Sequence, residues 1–255
     1  MVTLSACIEM LFTNMPFLDR IDAAAAAGAK AVEFWGMDGK DLPAIFRRAE
    51  ALGLKVGTFA CGVPLTDPTK GEQAEAGMRR AIAAAREQGL RNVIVTTGNR
   101  QKDLPLPEQE ASVVRGLRAV AAEAEAAGVR LNLEILNTLV DHRGYFLDRT
   151  ETAVRIVEAV ASDSVKVLYD IYHVQIMEGN LIATIRSNIA HIGYFHAADV
   201  PGRFEPGTGE INYRNVTAAI EDAGYDGFVG LEFRPKGGAE RSGEALRTAI
   251  AAMMG

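Results

Sequence analysis

Arg130-Leu131-Asn132-Leu133-Glu134-Ile135 alternates strictly, polar at the even positions and aliphatic at the odd ones. A strand sends successive side chains to opposite faces. Leu131, Leu133 and Ile135 therefore pack outward on a ring of helices, while Arg130, Asn132 and Glu134 point into a barrel. The same parity follows further along the chain. In Val165–Asp170, Lys166, Leu168 and Asp170 share the inward face, with Val167 and Tyr169 outward. Ile192, Tyr194 and His196 share one side of the next run, and Phe228, Gly230 and Glu232 one side of the last. Four consecutive strands thus end, on their inner face, with Glu134, Asp170, His196 and Glu232.

Towards the N-terminus the same rhythm continues. Strand candidates at Leu4–Ile8, Ala31–Trp35, Lys55–Ala60 and Asn92–Thr96 precede those at Arg130–Leu136, Val165–Asp170, His191–His196 and Phe228–Phe233. Ala-rich stretches with helical spacing lie between them, among them Phe17–Ala27, Gln73–Gln88, Glu108–Ala127, Thr150–Ala161 and Arg214–Ala223. Gly28, Gly89, Gly128 and Gly224 stand where helices should stop, because glycine takes positive φ without a Cβ penalty. The starts of the eight runs are spaced about 32 residues apart, close to the ~30 of a βα unit. Eight such units predict an α/β fold, a (β/α)8 TIM barrel, over residues 1–255 as one domain. A doubly wound open sheet would need fewer strands or a second domain, and no Pro/Gly/Ser-rich linker divides the chain.

Composition narrows the classes of function. Hydrophobic residues make up 48% and charged ones 24%, the balance of an ordinary globular protein. With 33 acidic against 27 basic residues the net charge is −6, which disfavours a nucleic-acid reader or an anionic membrane surface. The two cysteines, Cys7 and Cys61, make no disulfide framework and fit a reducing cytoplasm. Met1-Val2-Thr3-Leu4 carries no basic region leading into an apolar stretch, and no apolar run reaches the ~18 residues of a membrane span. The expected partner is a small molecule; whether the chain forms a homo-oligomer stays open.

The C-terminal mouth of such a barrel is where active sites are built. Three carboxylates and one imidazole converging there repel one another unless a cation joins them. Mostly oxygen ligands with one nitrogen favour Mg²⁺ or Mn²⁺ over a Cys-rich zinc site. The plainer alternative pairs each acid with an arginine or leaves it solvated at the rim.

The segments around these residues resemble the hydroxypyruvate isomerase family of xylose-isomerase-like TIM barrels. The resemblance is carried by Leu133-Glu134, Tyr169-Asp170-Ile171-Tyr172-His173-Val174-Gln175, His196-Ala197-Ala198-Asp199-Val200-Pro201-Gly202-Arg203, Gly209-Glu210-Ile211-Asn212-Tyr213 and Gly230-Leu231-Glu232-Phe233. It is dense from about Arg130 to Pro235 and thinner before. It implies that Glu134, Asp170, His196 and Glu232 hold a divalent metal, and that Glu134 and Glu232 are also the catalytic acid/base pair. His173 and Arg203 would contact substrate oxygens, and the planar fork of Arg203 suits a carboxylate. The implied reaction is aldose–ketose isomerisation of a small hydroxy-carbonyl acid through an enediolate, as from hydroxypyruvate to tartronate semialdehyde. A ketose 3-epimerase or a 2-oxo sugar acid isomerase would use the same groups.

Other residues carry weaker signals. His142 belongs either to the pocket or to the surface, and Phe12 and Trp35 either wall the pocket or fill the core. His191 opens its strand at the far end from His196 and reads as structural. Lys166, four residues before Asp170, lies about 13 Å deeper, which points to a buried ion pair rather than a Schiff base. Gly237-Gly238 reads as loop chemistry more than as a phosphate cradle. An abasic-site endonuclease of a related barrel would need several zinc ions and a histidine-rich mouth, against four histidines in the whole chain.

Overall fold

The eight apolar runs form eight strands: β1 (Thr3–Cys7), β2 (Ala31–Phe34), β3 (Lys55–Gly62), β4 (Asn92–Thr96), β5 (Arg130–Glu134), β6 (Val165–Asp170), β7 (Ile192–Ala197) and β8 (Phe228–Leu231). In the computed structural model, which describes residues 1–255, all neighbours are parallel and β8 returns to β1 to close the barrel. Around it run α1 (Phe17–Ala26), α2 (Leu42–Ala51), α3 (Gly71–Glu87), α4 (Leu106–Ala127), α5 (Thr150–Val160), α6 (Ile171–Met177), α7 (Leu181–Asn188), α8 (Tyr213–Asp222) and α9 (Ser242–Met254). This is the (β/α)8 TIM barrel that the spacing predicts.

Local chemistry sets the boundaries. Gly28, Gly89, Gly128 and Gly224 follow their helices with φ of 97°, 67°, 65° and 87°, the left-handed conformation that ends a helix. Asp41 caps α2 by accepting the Ala44 N–H at 2.9 Å, and Asn212 caps α8 through the Asn215 N–H at 3.1 Å. The sixth unit carries two helices where one is expected, because Gly179 and Asn180 turn left-handed (φ 63° and 49°) and break the helix between α6 and α7.

The inside/outside parity holds on β5. Leu131, Leu133 and Ile135 lie in the continuous apolar layer between barrel and helices, where α4 contributes Val113, Leu117, Val120 and Ala124 at helical spacing. Inside the barrel a small cluster of Ile94, Leu168 and Tyr194, flanked by Ala60 and Phe228, fills the space below the mouth. On β7 the parity needs a correction. Val167 opposes Ile192 but Leu168 opposes Tyr194, so Gly193 is an extra residue and Ile192 turns into the outer layer. Only glycine fits there: a Cβ would run into Asn132, Arg130 and Lys166.

Lys166 also departs from expectation. Its ammonium lies 3.4 Å from Asp163 and donates to the Ala190 carbonyl at 3.1 Å, but Asp163 is fully exposed. The pair is thus a rim contact at the end of β6 away from the mouth. Cys7 and Cys61 are buried free thiols. No helix is long and apolar enough to cross a membrane.

Candidate active site

The ends of β5 to β8 bring Glu134, Asp170, His196 and Glu232 together. One ligand atom from each lies within 4.8 Å of all the others, and all four residues are buried. Each is held differently. Asp170 ends β6 and caps α6, its Oδ1 accepting the N–H groups of Tyr172 (2.9 Å) and His173 (3.2 Å), which leaves Oδ2 for the cluster. Glu232 follows β8, its own N–H still bonded to the Ala197 carbonyl at 3.1 Å. Trp35 Nε1 donates to its Oε1 at 2.7 Å, and Arg203 Nη2 donates to its Oε2. The backbone of Glu134 is fixed by Tyr145, whose hydroxyl donates to the Glu134 carbonyl at 3.1 Å and accepts the Thr97 N–H at 2.9 Å.

His196 lies among the acids. Its Nδ1 is 3.2 Å from Glu134 Oε1, 3.7 Å from Glu232 Oε2 and 3.8 Å from Asp170 Oδ2. Its Nε2 faces a fourth carboxylate, Glu33 of β2, at 3.1 Å. Glu33 Oε2 in turn accepts the Tyr194 hydroxyl at 2.7 Å. Gly230 makes room for this pairing, because a Cβ there would strike both the Glu33 carboxylate and the His196 ring. The sequence reading missed Glu33, although a charged residue inside Ala31-Val32-Glu33-Phe34 is the signal that marks it.

The electrostatics follow from burial and crowding. Burial pushes the Asp170 carboxyl up to about 7 against the pull of His196 and Arg203. Burial alone would hold His196 down, but Glu33, Glu232 and Glu134 raise it well above the ordinary imidazole range. Burial also works upward on Glu232, yet the cations Arg203 and His196 keep it below the usual carboxylate range. Neither His196 nitrogen is aligned on an acceptor for a hydrogen bond, so Nδ1 remains unspent in the middle of three carboxylates. Three oxygen donors and one such nitrogen fit a divalent cation.

His173 and Arg203 both reach this mouth. His173, on the first turn of α6, is fully buried, with Nδ1 2.6 Å from Asn137 Nδ2 and Nε2 without a partner. Burial, with Arg203, His142 and His196 nearby, keeps it well below the ordinary imidazole range. Arg203 stands on the loop after β7 with a left-handed φ of 58°. The loop is folded on the Asp199 carboxylate, which accepts the N–H groups of Gly207 (2.9 Å), Gly209 (2.8 Å) and Ile211 (3.1 Å). Much of the Pro201–Tyr213 motif is therefore a cage that presents Arg203. One edge of its guanidinium is already engaged by Glu232, it lies over the Tyr172 ring at 5.5 Å, and Nε has no partner.

Of the residues left open, His142 and Trp35 line the cavity of about 270 Å³ above the cluster, together with Leu136 and Arg203. Phe12 lies in the apolar core. His191 lies 3.4 Å from Glu158 at the start of β7, and Gly237-Gly238 forms a turn closed by the Gly238 N–H on the Pro235 carbonyl at 3.0 Å.

Residues 21–252 match the sequence profile of the xylose isomerase-like TIM barrel. The chain belongs to that family. It is 33% identical over 243 residues to the 2-oxo-tetronate isomerase of Cupriavidus necator, covering 92% of this chain and 93% of that protein. It is 32% identical over 245 residues to the hydroxypyruvate isomerase of Escherichia coli, covering 92% and 95%. A solved member of the same fold, the AP endonuclease of family 2 from Brucella melitensis, superposes with a TM-score of 0.89 at 28% identity, covering 95% and 96%. Like the first two relatives, this chain is an isomerase of the family.

Proposed function

We propose that the chain is a metal-dependent aldose–ketose isomerase of a small α-hydroxy carbonyl acid, with hydroxypyruvate to tartronate semialdehyde as its leading reaction. The observation that carries this reading is the buried convergence of Glu134, Asp170, His196 and Glu232 beneath a small cavity. The names of the two relatives from Cupriavidus necator and Escherichia coli support the substrate class.

Interconverting an α-hydroxy aldehyde and an α-hydroxy ketone requires a proton to leave carbon and another to arrive at the neighbouring carbon. Glu134 and Glu232 divide that transfer, general acid–base help of a kind that contributes ~10²–10⁴-fold. Glu134, Asp170, Nδ1 of His196 and Glu232 would hold Mg²⁺ or Mn²⁺. The ion, when bound, supplies positive charge that stabilises developing negative charge on the carbonyl and hydroxyl oxygens. His173 donates to one of those oxygens. Arg203 keeps Glu232 ionised and offers its remaining donors to the substrate.

The E. coli and C. necator relatives differ in the named substrate, so a 2-oxo-tetronate is the second candidate. A ketose 3-epimerase would return the proton to the carbon that lost it, from the opposite face. An endonuclease is disfavoured by a cluster with a single histidine and by the charge of −6. The test is a panel of hydroxypyruvate, a 2-oxo-tetronate, fructose and an abasic duplex, assayed with Mn²⁺ or Mg²⁺ and after exhaustive chelation. Turnover of a hydroxy-keto acid, lost on chelation and regained with metal, is expected. Full activity in enzyme shown by elemental analysis to be metal-free would sink the proposal.

A further inference from the structure

Asn137, on the loop after β5, is fully buried and its amide is oriented by three contacts. Oδ1 accepts the N–H groups of Val140 and Asp141, each at 2.9 Å, and Nδ2 donates to Asp141 Oδ2 at 2.7 Å. Turning the amide over would set its oxygen against a carboxylate and its NH₂ against two N–H groups. The same NH₂ lies 2.6 Å from Nδ1 of His173. A ring nitrogen facing a donor carries the lone pair, so the proton of the neutral ring is on Nε2. That Nε2 is buried, unpartnered, and 3.6 Å from Asp170 Oδ2 at the acid cluster.

We propose that Asn137 is a positioning residue that holds His173 as its Nε2–H tautomer, so that a hydrogen-bond donor faces the substrate oxygens. The proposal rests on the isomerase reading of the site. A fixed donor stabilises the oxygen charge that develops as the carbon proton leaves, whereas the other tautomer presents a lone pair and repels it. The device extends to Arg203. Asp141 Oδ2, which orients Asn137, also accepts the Tyr172 hydroxyl at 2.8 Å, and the Tyr172 ring lies under the guanidinium. One loop therefore sets both substrate-facing groups.

The chain has four histidines, so ¹⁵N-histidine NMR of the metal-free protein resolves the tautomer directly. The wild type is expected to show Nδ1 unprotonated and Nε2 protonated. In Asn137→Asp the ring faces a carboxylate and the proton moves to Nδ1. The kcat should then fall about 10²–10³-fold, the usual cost of losing one such donor, while Mn²⁺ affinity stays at its wild-type value. Should that variant fail to fold, the exchange Asn137→Asp with Asp141→Asn keeps the hydrogen bond between the two residues and still turns a carboxylate on Nδ1. A wild-type proton on Nδ1, or a folded variant with the reversed tautomer and undiminished turnover, overturns the proposal. If the wild type converts nothing in the panel, the isomerase reading falls, and the spectra alone decide whether Asn137 sets the tautomer.

Discussion

His196 has acids on both sides, and the two sides do different things. Nδ1 faces the candidate ligands, while Glu33 sits 3.1 Å behind Nε2. A carboxylate behind a ligating imidazole fixes the ring and raises its basicity, and losing such a partner costs about 10–100-fold in metal affinity. Glu33→Gln should weaken Mn²⁺ binding by that factor with the fold intact, as measured by calorimetric titration; unchanged affinity would remove Glu33 from the site. A second expectation concerns protons. Asp170, raised to about 7 by burial, carries its proton below that pH when no cation is bound. Binding must expel that proton and also the one that Glu33, Glu232 and Glu134 hold on His196, so affinity should fall as pH drops through about 7 and go on rising above it. An affinity flat across that range would mean that Asp170 is not a ligand. The four candidate ligands were legible because each is a polar residue ending an alternating strand on its inner face. Glu33 ends no such alternation, and Asn137 acts from a loop whose path the alternation does not determine.

Strands and helices were legible from periodicity, and helix ends from glycines. Two of the features that escaped lie where side-chain period and backbone count part company. Gly193 adds a residue to β7 and turns Ile192 outward, and Gly179-Asn180 splits one expected helix into α6 and α7. Two glycines of the barrel wall should therefore respond differently to the same change. Gly193 lies low on β7, where a Cβ meets Asn132, Arg130 and Lys166. Gly193→Ala should cost about 1–3 kcal/mol by overpacking, seen in urea denaturation, and spare metal binding in the folded protein. Gly230→Ala pushes on Glu33 and His196 and should reduce Mn²⁺ affinity as well. Loss of metal affinity in the Gly193 variant, or its full retention in the Gly230 variant, would mean that the two layers are not separable in this way.

The acid cluster joins β5, β6, β7 and β8, half of the barrel. In a chain already at −6, three buried carboxylates drawn together oppose folding to the extent that Arg203 and His196 leave their charge uncompensated. A ligand that binds only the native state stabilises it by mass action, about 2.7 kcal/mol at a hundredfold excess over Kd. For a chain of this size, that should raise Tm by ~5–10 °C. Scanning calorimetry of chelated and Mn²⁺-loaded protein measures the shift. The decisive control is Asp170→Asn. Asparagine still accepts the Tyr172 and His173 N–H groups and so keeps the start of α6, but it removes one anionic ligand from the cluster. The variant should fold, tolerate chelation as the wild type does, and lose most of the Mn²⁺-dependent rise. If Asp170→Asn is stabilised by Mn²⁺ as strongly as the wild type, the cation binds elsewhere and the cluster at the mouth is not its site.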